Sequence, residues 1–384
     1  MQAQGHSAQP LNVIIAGGGV AGLEAAFALH ELAGHRVVTT LLSPGEEFVY
    51  RPLSIGEPFS AGHAERYPLA PLAAAAGAQL VQDTLESVDA RSQIVHAGSG
   101  AELPYDALLV GLGAALQPLS DHATNVDDAR MGELLHGLVQ DIEGGYVHRL
   151  AIVVPAPIPW PFPAYELALM AAERAWDMQT ELEITLLTPE RAPLQAFGEA
   201  ASRAMAQLLA ERHIEVATAA YCEIPRSQLV VVHPGGRSVE ADRIVAFPQL
   251  VGPSVDGLPS DGGGFIPVDE YGRVRGVERV WAAGDGTDYP LKQGGVAAQL
   301  ADTAAAAIAA LAGSGRDVPP FSPVVEGVLM TGGTARYLRA TPAGGDSVAE
   351  SVFVELARGA APPKIAARYL GPHLSGPVSA GIGS

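Results

Sequence analysis

Residues 11–22 run LNVIIAGGGVAG, and the segment LEAAFALHEL follows directly. An apolar run that stops at glycines and then switches to a helical period predicts a buried strand, a tight turn and a helix. Gly17, Gly19 and Gly22 form GxGxxG. The first glycine permits the turn, and the second lets the backbone approach a pyrophosphate. The third lets helix and strand pack closely, with the positive helix end facing the anion. RVVTTLLS (36–43) predicts the next strand. This succession restricts the chain to an α/β fold of the dinucleotide-binding kind. At the end of that strand an acid usually meets the adenosine ribose. Here Ser43 stands there, with Glu46 and Glu47 nearby.

A second unit of the same kind begins at RLAIVVP (149–155), with a helix from about Ala164 and a strand at ELEITLLTP (181–189). A helix at 199–212 and strands at HIEVATA (213–219) and RIVAFPQL continue it. Residues 78–114 predict three or four short strands. RVWAAGD (279–285) predicts a strand ending at Gly284-Asp285, followed by an Ala-rich helix at 294–312. After Pro319 the chain is rich in Pro and Gly, with one strand expected at SVFVELA (351–357). The expected architecture is α/β, with two Rossmann-like three-layer domains of the dinucleotide-binding type and a small C-terminal module. The first domain is discontinuous, 1–116 and 250–318. The second occupies 117–249, and the module 319–384.

Composition narrows the partners. The 384 residues carry a formal net charge of −19, which argues against nucleic acid and against electrostatic docking on anionic lipid. The N-terminal segment lacks a basic region followed by a long apolar one, so a cytoplasmic protein is expected. The longest apolar stretch, around 301–312, is interrupted by Asp302, and no transmembrane anchor is expected. No metal-binding motif is present. The single cysteine, Cys222, has no partner for a disulfide or a CxxC pair and is expected to be a small buried hydrophobe. An acid followed by glycine at a strand end, as at Asp285, suits a sugar-like hydroxyl.

Three motifs, GGGVAGLEAA (17–26), YDALLVGLGA (105–114) and VWAAGDGTDYPLKQGG (280–295), together with the loop EFVYRPL (47–53), carry a resemblance. The chain resembles the two-dinucleotide-binding-domain flavoproteins of the pyridine nucleotide–disulfide oxidoreductase superfamily. Within it, the chain is most similar to the sulfide:quinone oxidoreductase and type II NADH dehydrogenase branch, over roughly residues 11–312. The resemblance implies noncovalent FAD. It puts Gly17, Gly19 and Gly22 at the pyrophosphate, Leu85 at adenine and Asp285 at the ribityl chain. Gly111 and Gly113 mark the crossover out of the FAD domain, where Leu112 replaces the usual threonine. Ser43, Arg51, Gly284 and Gln293 complete the expected cofactor set. The helix from Gly294 would aim its positive end at the flavin, and Lys292 could add a charge there.

A nicotinamide-binding member would carry GxGxxGxE in the second unit. This chain has AIVVPAPIPWPFPAYELALMA at 151–171. Anchored on Glu166, the glycine positions fall on Pro159, Pro161 and Ala164. Proline has no N–H for a phosphate and a fixed φ, so the NAD(P)H cradle is expected to be lost. The branch retains a proline–small–aromatic–Glu stretch like Pro163-Ala164-Tyr165-Glu166. Trp160, Phe162, Tyr165, Phe247 and Pro248 are candidate walls of a substrate pocket. Glu166 is the candidate proton relay and Lys292 the second catalytic candidate. The cysteine pair of sulfide oxidation is missing. The expected function is an FAD-dependent oxidoreductase that moves electrons from a small-molecule donor to a quinone or another acceptor. An NADH:acceptor oxidoreductase with an atypical nicotinamide site is the alternative, and a flavin-loaded non-catalytic binding protein the second. In quinone-reducing relatives the C-terminal region makes dimer or membrane contacts. A homodimer and peripheral membrane association therefore stay open.

Overall fold

Two five-stranded parallel sheets organise the molecule. In the computed structural model, residues 9–157, 160–344, 347–357 and 363–374 are described. The first sheet has the order Val280–Ala282, Ala107–Val110, Leu11–Ala16, Val37–Leu42, Ala78–Val81. The second repeats the pattern: Thr124–Asn125, Arg243–Ala246, Arg149–Val153, Glu183–Leu187, Ile214–Ala217. Every pairing within both sheets is parallel. In each, the strand that opens the unit lies in the middle and its neighbours leave in opposite directions. That creates a crevice at the carboxyl ends of the strands.

Parallel sheets are covered on both faces, and the residues obey this. Ile14, Ile15, Leu41, Leu108 and Leu109 are at most 2% exposed. Burying each such side chain stabilises the fold by about 1.5–3 kcal/mol. Helix Val20–Leu32 packs against helix Gly294–Leu311 through small residues, with Ala25, Ala28, Ala301, Ala304 and Ala305 all fully buried. The latter helix is long and apolar enough to cross a bilayer, the one such helix among the described residues, and most of it is buried in the protein.

Antiparallel strands Ala115–Gln117 and Gln249–Val251 pair where the chain passes between the two sheets. The fold departs from the sequence expectations in three places. Five strands, not three or four, lie between residues 78 and 110, because Glu102–Pro104 is too short to show a period. A helix at Met131–Glu143 was not anticipated. It buries Met131, Leu135, Leu138, Val139 and Ile142 at helical spacing, but Gly132 and Gly137 interrupt the pattern. The C-terminal part holds a three-stranded antiparallel sheet, Val325–Leu329, Arg336–Gly344 and Ser347–Glu355, rather than one strand.

Candidate functional site

The glycine turn is built as its chemistry requires. Gly17 has φ +117°, and a Cβ there would come within 2.3 Å of the Gly111 carbonyl oxygen. A Cβ at Gly22 would lie 1.8 Å from the Gly17 oxygen, so any side chain would part helix from strand. At Gly19 and Gly113 a Cβ would meet no protein atom within 4 Å. These two glycines border open space: a cavity of about 630 Å³ at the crevice of the first sheet.

The N-termini of two helices face this cavity. Gly17, Gly19, Val20 and Ala21 line it from one, and Gln293, Gly294 and Ala297 from the other. Ser43, Arg51, Gly111, Leu112, Gly113, Asp285 and Lys292 join them, as do Trp160, Phe162 and Glu166 from the second unit. Residues from both units thus meet in one space. Cavities of about 300–1,000 Å³ with a few convergent polar groups suit cofactors.

Asp285 accepts no hydrogen bond to its carboxylate among the described residues. Burial pushes its carboxyl up to about 6, the Lys292 charge pulls it down, and Asp128 pushes it up. Such a group suits sugar hydroxyls arriving with a ligand. Gly284 has φ +85° and sets the turn without lining the cavity. Lys292 lines the cavity, but its ammonium donates to the Thr287 carbonyl and sits 3.9 Å above the Phe265 ring. Burial lowers its pKa against the charges of Asp285, Asp288 and Asp261. Gln293 is a helix cap: its Oε1 accepts from Val296 N at 2.9 Å and its Nε2 donates to the Glu326 carbonyl. Its polar atoms are therefore already engaged.

Glu166 is 2% exposed and lies in the far wall of the cavity. Its Oε1 accepts from Lys364 Nζ at 2.7 Å and from Met330 N at 2.8 Å. Burial raises the Glu166 carboxyl, and Lys364 draws it partly back. Lys364 also donates to the Pro52 carbonyl at 3.0 Å. Trp160 and Phe162 stack with centroids 5.2 Å apart and an angle of 11°, and both lean on Phe197.

Several expectations are corrected. Tyr165 is not a pocket wall. It is fully buried, and its hydroxyl donates to Glu190 Oε2 at 2.6 Å. Helix periodicity turns Tyr165 inward where Glu166 faces the cavity. Phe247 and Pro248 are buried in packing and lie outside the cavity lining. Leu85 opens a strand of a separate antiparallel sheet, also outside the lining. Gly22 acts through packing alone. Cys222, expected to be buried, is only half-buried on strand Tyr221–Arg226, away from the cavity, its thiol pushed up to about 11 by desolvation.

Asp128 and Lys364 line the cavity and were missed. Both arrive from distant loops. One signal for Lys364 was available: the chain contains only two lysines, Lys292 and Lys364, and both border the cavity.

At the start of the second unit's helix, Phe162–Asp177, Pro161 is the N-cap and Pro163 lies in the first turn. Neither has an N–H, and Ala164 N already donates to the Pro161 carbonyl at 3.0 Å. Pro159 lies outside the described residues. After the next strand, where a ribose-binding acid would stand, Glu190 is buried. It accepts from Tyr165, Thr188 and Gln195 N, and burial lifts its carboxyl to about 7.

Comparison with known proteins gives a consistent picture. Residues 162–309 match the family model described as pyridine nucleotide-disulphide oxidoreductase. The sulfide-quinone reductase of Aquifex aeolicus (strain VF5) is 27% identical over 268 residues, which is 64% of this chain. The matched part spans 60% of that protein's length. The solved structure of the sulfide:quinone oxidoreductase from Aquifex aeolicus is similar with a TM-score of 0.79 at 20% identity, covering 90% of this chain and 87% of that one. A ferredoxin reductase from Rhodopseudomonas palustris gives 0.63 at 17% identity, covering 87% and 83%. At these identities the two structural likenesses are likenesses of fold.

Proposed function

We propose that the chain, which is similar to the pyridine nucleotide-disulphide oxidoreductase family over residues 162–309, is an FAD-dependent oxidoreductase. It takes electrons from a small donor other than NAD(P)H and passes them to a quinone or comparable acceptor. The observation that carries this reading is a cavity into which both units project: two helix N-termini and the Asp285 carboxylate on one side, the Trp160–Phe162 stack and the Glu166–Lys364 pair on the other.

The residues present fit FAD. Gly18–Ala21 offer backbone donors and a positive helix end to a pyrophosphate, while the Gly17 N–H is held by the Leu42 carbonyl. The carboxylate of Asp285 is free to accept from the ribityl hydroxyls, and the Gly294 helix end faces the same space. Bound FAD would supply the two-electron chemistry; the protein binds, orients and handles protons. Glu166 and Lys364 hold a proton between Oε1 and Nζ at the cavity wall, placed to exchange it with a reduced acceptor. Trp160 and Phe162 present a flat apolar face, which suits a planar ring.

The second unit argues against nicotinamide. Its helix start lacks donors at Pro161 and Pro163, and Glu190 is committed inward to Tyr165. The one cysteine of this chain leaves no intramolecular disulfide to reduce.

The test is direct. The purified protein should be yellow, and heat denaturation should release FAD rather than FMN. A colourless protein that takes up no FAD on incubation would end this reading.

A further inference from the structure

Glu24 lies in the first half of helix Val20–Leu32 and is fully buried. A carboxylate in such a place needs donors. It has two, the backbone N–H groups of Tyr369 (2.8 Å) and Leu370 (2.6 Å). Both belong to the segment 363–374, far along the chain. Asp302, on helix Gly294–Leu311, reaches the same Glu24 carboxyl. Its Oδ1 is buried and has no partner atom able to donate. Two carboxyls in contact do not both ionise readily. A proton on Asp302 resolves the arrangement, because its O–H can donate to the Glu24 carboxylate.

The same segment is fastened elsewhere. His373 stacks on Phe27 at 4.0 Å, the Leu374 carbonyl accepts from Tyr67, and Ile365 N donates to the Tyr50 hydroxyl. Lys364 stands at its start, with its ammonium in the cavity.

We propose that Glu24 and Asp302 are positioning residues: Glu24 holds the segment 363–374 by its backbone amides, Asp302 shares one proton with Glu24, and the docked segment sets Lys364 against Glu166. The catalytic consequence rests on the function proposed above, whereas the docking does not.

The other charges facing this pair are few. Arg368, on the docked segment, faces Asp302. The Tyr369 hydroxyl faces Asp302, Glu31 from the first helix and Arg316 from beyond the second. Burial is the largest influence on Asp302, the Glu24 charge adds to it and Arg368 opposes it, leaving the carboxyl at about 8. An undocked Asp302 in water would lose its proton near ~3.9. The docked state therefore binds the extra proton between those values. Docking is at full strength below the lower one, weakens as pH rises through the window, and levels off above the upper one.

The experiment is hydrogen exchange at the Tyr369 and Leu370 amides of the full-length protein, corrected for intrinsic rates, from pH 6 to pH 9. Protection should fall at least tenfold in the wild type. It should stay flat in Asp302→Asn, whose amide donates to Glu24 without titrating. In parallel, acylation of the two lysines is mapped. At pH 9, Lys364 should label several-fold faster in the wild type than in Asp302→Asn, with Lys292 unchanged. Constant protection in the wild type would overturn the proposal, as would equal Lys364 labelling in the two proteins at pH 9. A failure of the flavin reading would show instead as an absence of bound FAD, with these exchange profiles unaltered.

Discussion

Asp285 is the single side chain on which cofactor retention should depend most. Its carboxylate is desolvated, has Lys292 as a compensating charge and accepts no hydrogen bond among the described residues. Hydrogen bonds to a charged acceptor contribute about 1.5–3 kcal/mol. Asp285→Ala should therefore weaken FAD binding by roughly one to two decades. Flavin absorbance per protein after gel filtration measures this, and full retention would contradict the assignment. Cys222 should be dispensable, since it lies away from the cavity with its thiol held protonated. Cys222→Ser should keep the flavin spectrum and turnover, and a tenfold loss in a folded protein would show that the thiol takes part. The tight turn at Gly17 and Gly22 and the place of Asp285 at the cavity were legible in the sequence because the local strand–turn–helix path sets them. Asp128 and Lys364 were not. Each sits in a loop with no pattern of its own, and only tertiary docking brings it to the cavity.

Among the elements, helix Phe162–Asp177 carries the proposal that this chain does not use nicotinamide. Its prolines remove donors that a pyrophosphate would need, and the residual Ala164 N–H is engaged. Two or three missing donors to a charged ligand cost about 3–6 kcal/mol together, at ~1.5–2 each. That is roughly two to four decades of affinity. NADH should bind no better than millimolar and reduce the flavin slowly in anaerobic stopped flow. Saturable reduction in the low micromolar range would promote the NADH:acceptor reading. The proline stretch was readable from sequence because proline's chemistry is local. The orientations of Tyr165 and Glu166 were not, since neighbouring helix positions face different directions and only packing decides which one meets the cavity. Helix Met131–Glu143 was hidden by its two glycines, although its apolar spacing was present.

Across the whole molecule, the first unit, the second unit and the C-terminal segment converge on one buried ion pair. Glu166 and Lys364 have side chains only 2% and 8% exposed. Removing one partner of such a pair costs about 3–5 kcal/mol, because the other charge stays buried alone. Lys364→Met should lower the urea midpoint accordingly, and adding Glu166→Gln should recover much of the loss. Additive losses in the double variant would show that the pair is not coupled. The two parallel sheets followed from sequence because buried strands and glycine turns announce themselves. The C-terminal sheet did not, since Arg336–Gly344 contains proline, glycine and arginine and is a strand only through its neighbours.

We propose that electrons pass through FAD in this cavity to an external acceptor. The most direct measurement is to reduce the protein chemically without oxygen, mix it rapidly with a short-chain quinone, and follow flavin absorbance. Flavin reoxidation should saturate with quinone concentration and slow at least tenfold in Glu166→Gln. A reduced flavin that persists unchanged in the presence of quinone and other small acceptors would rule out this electron path.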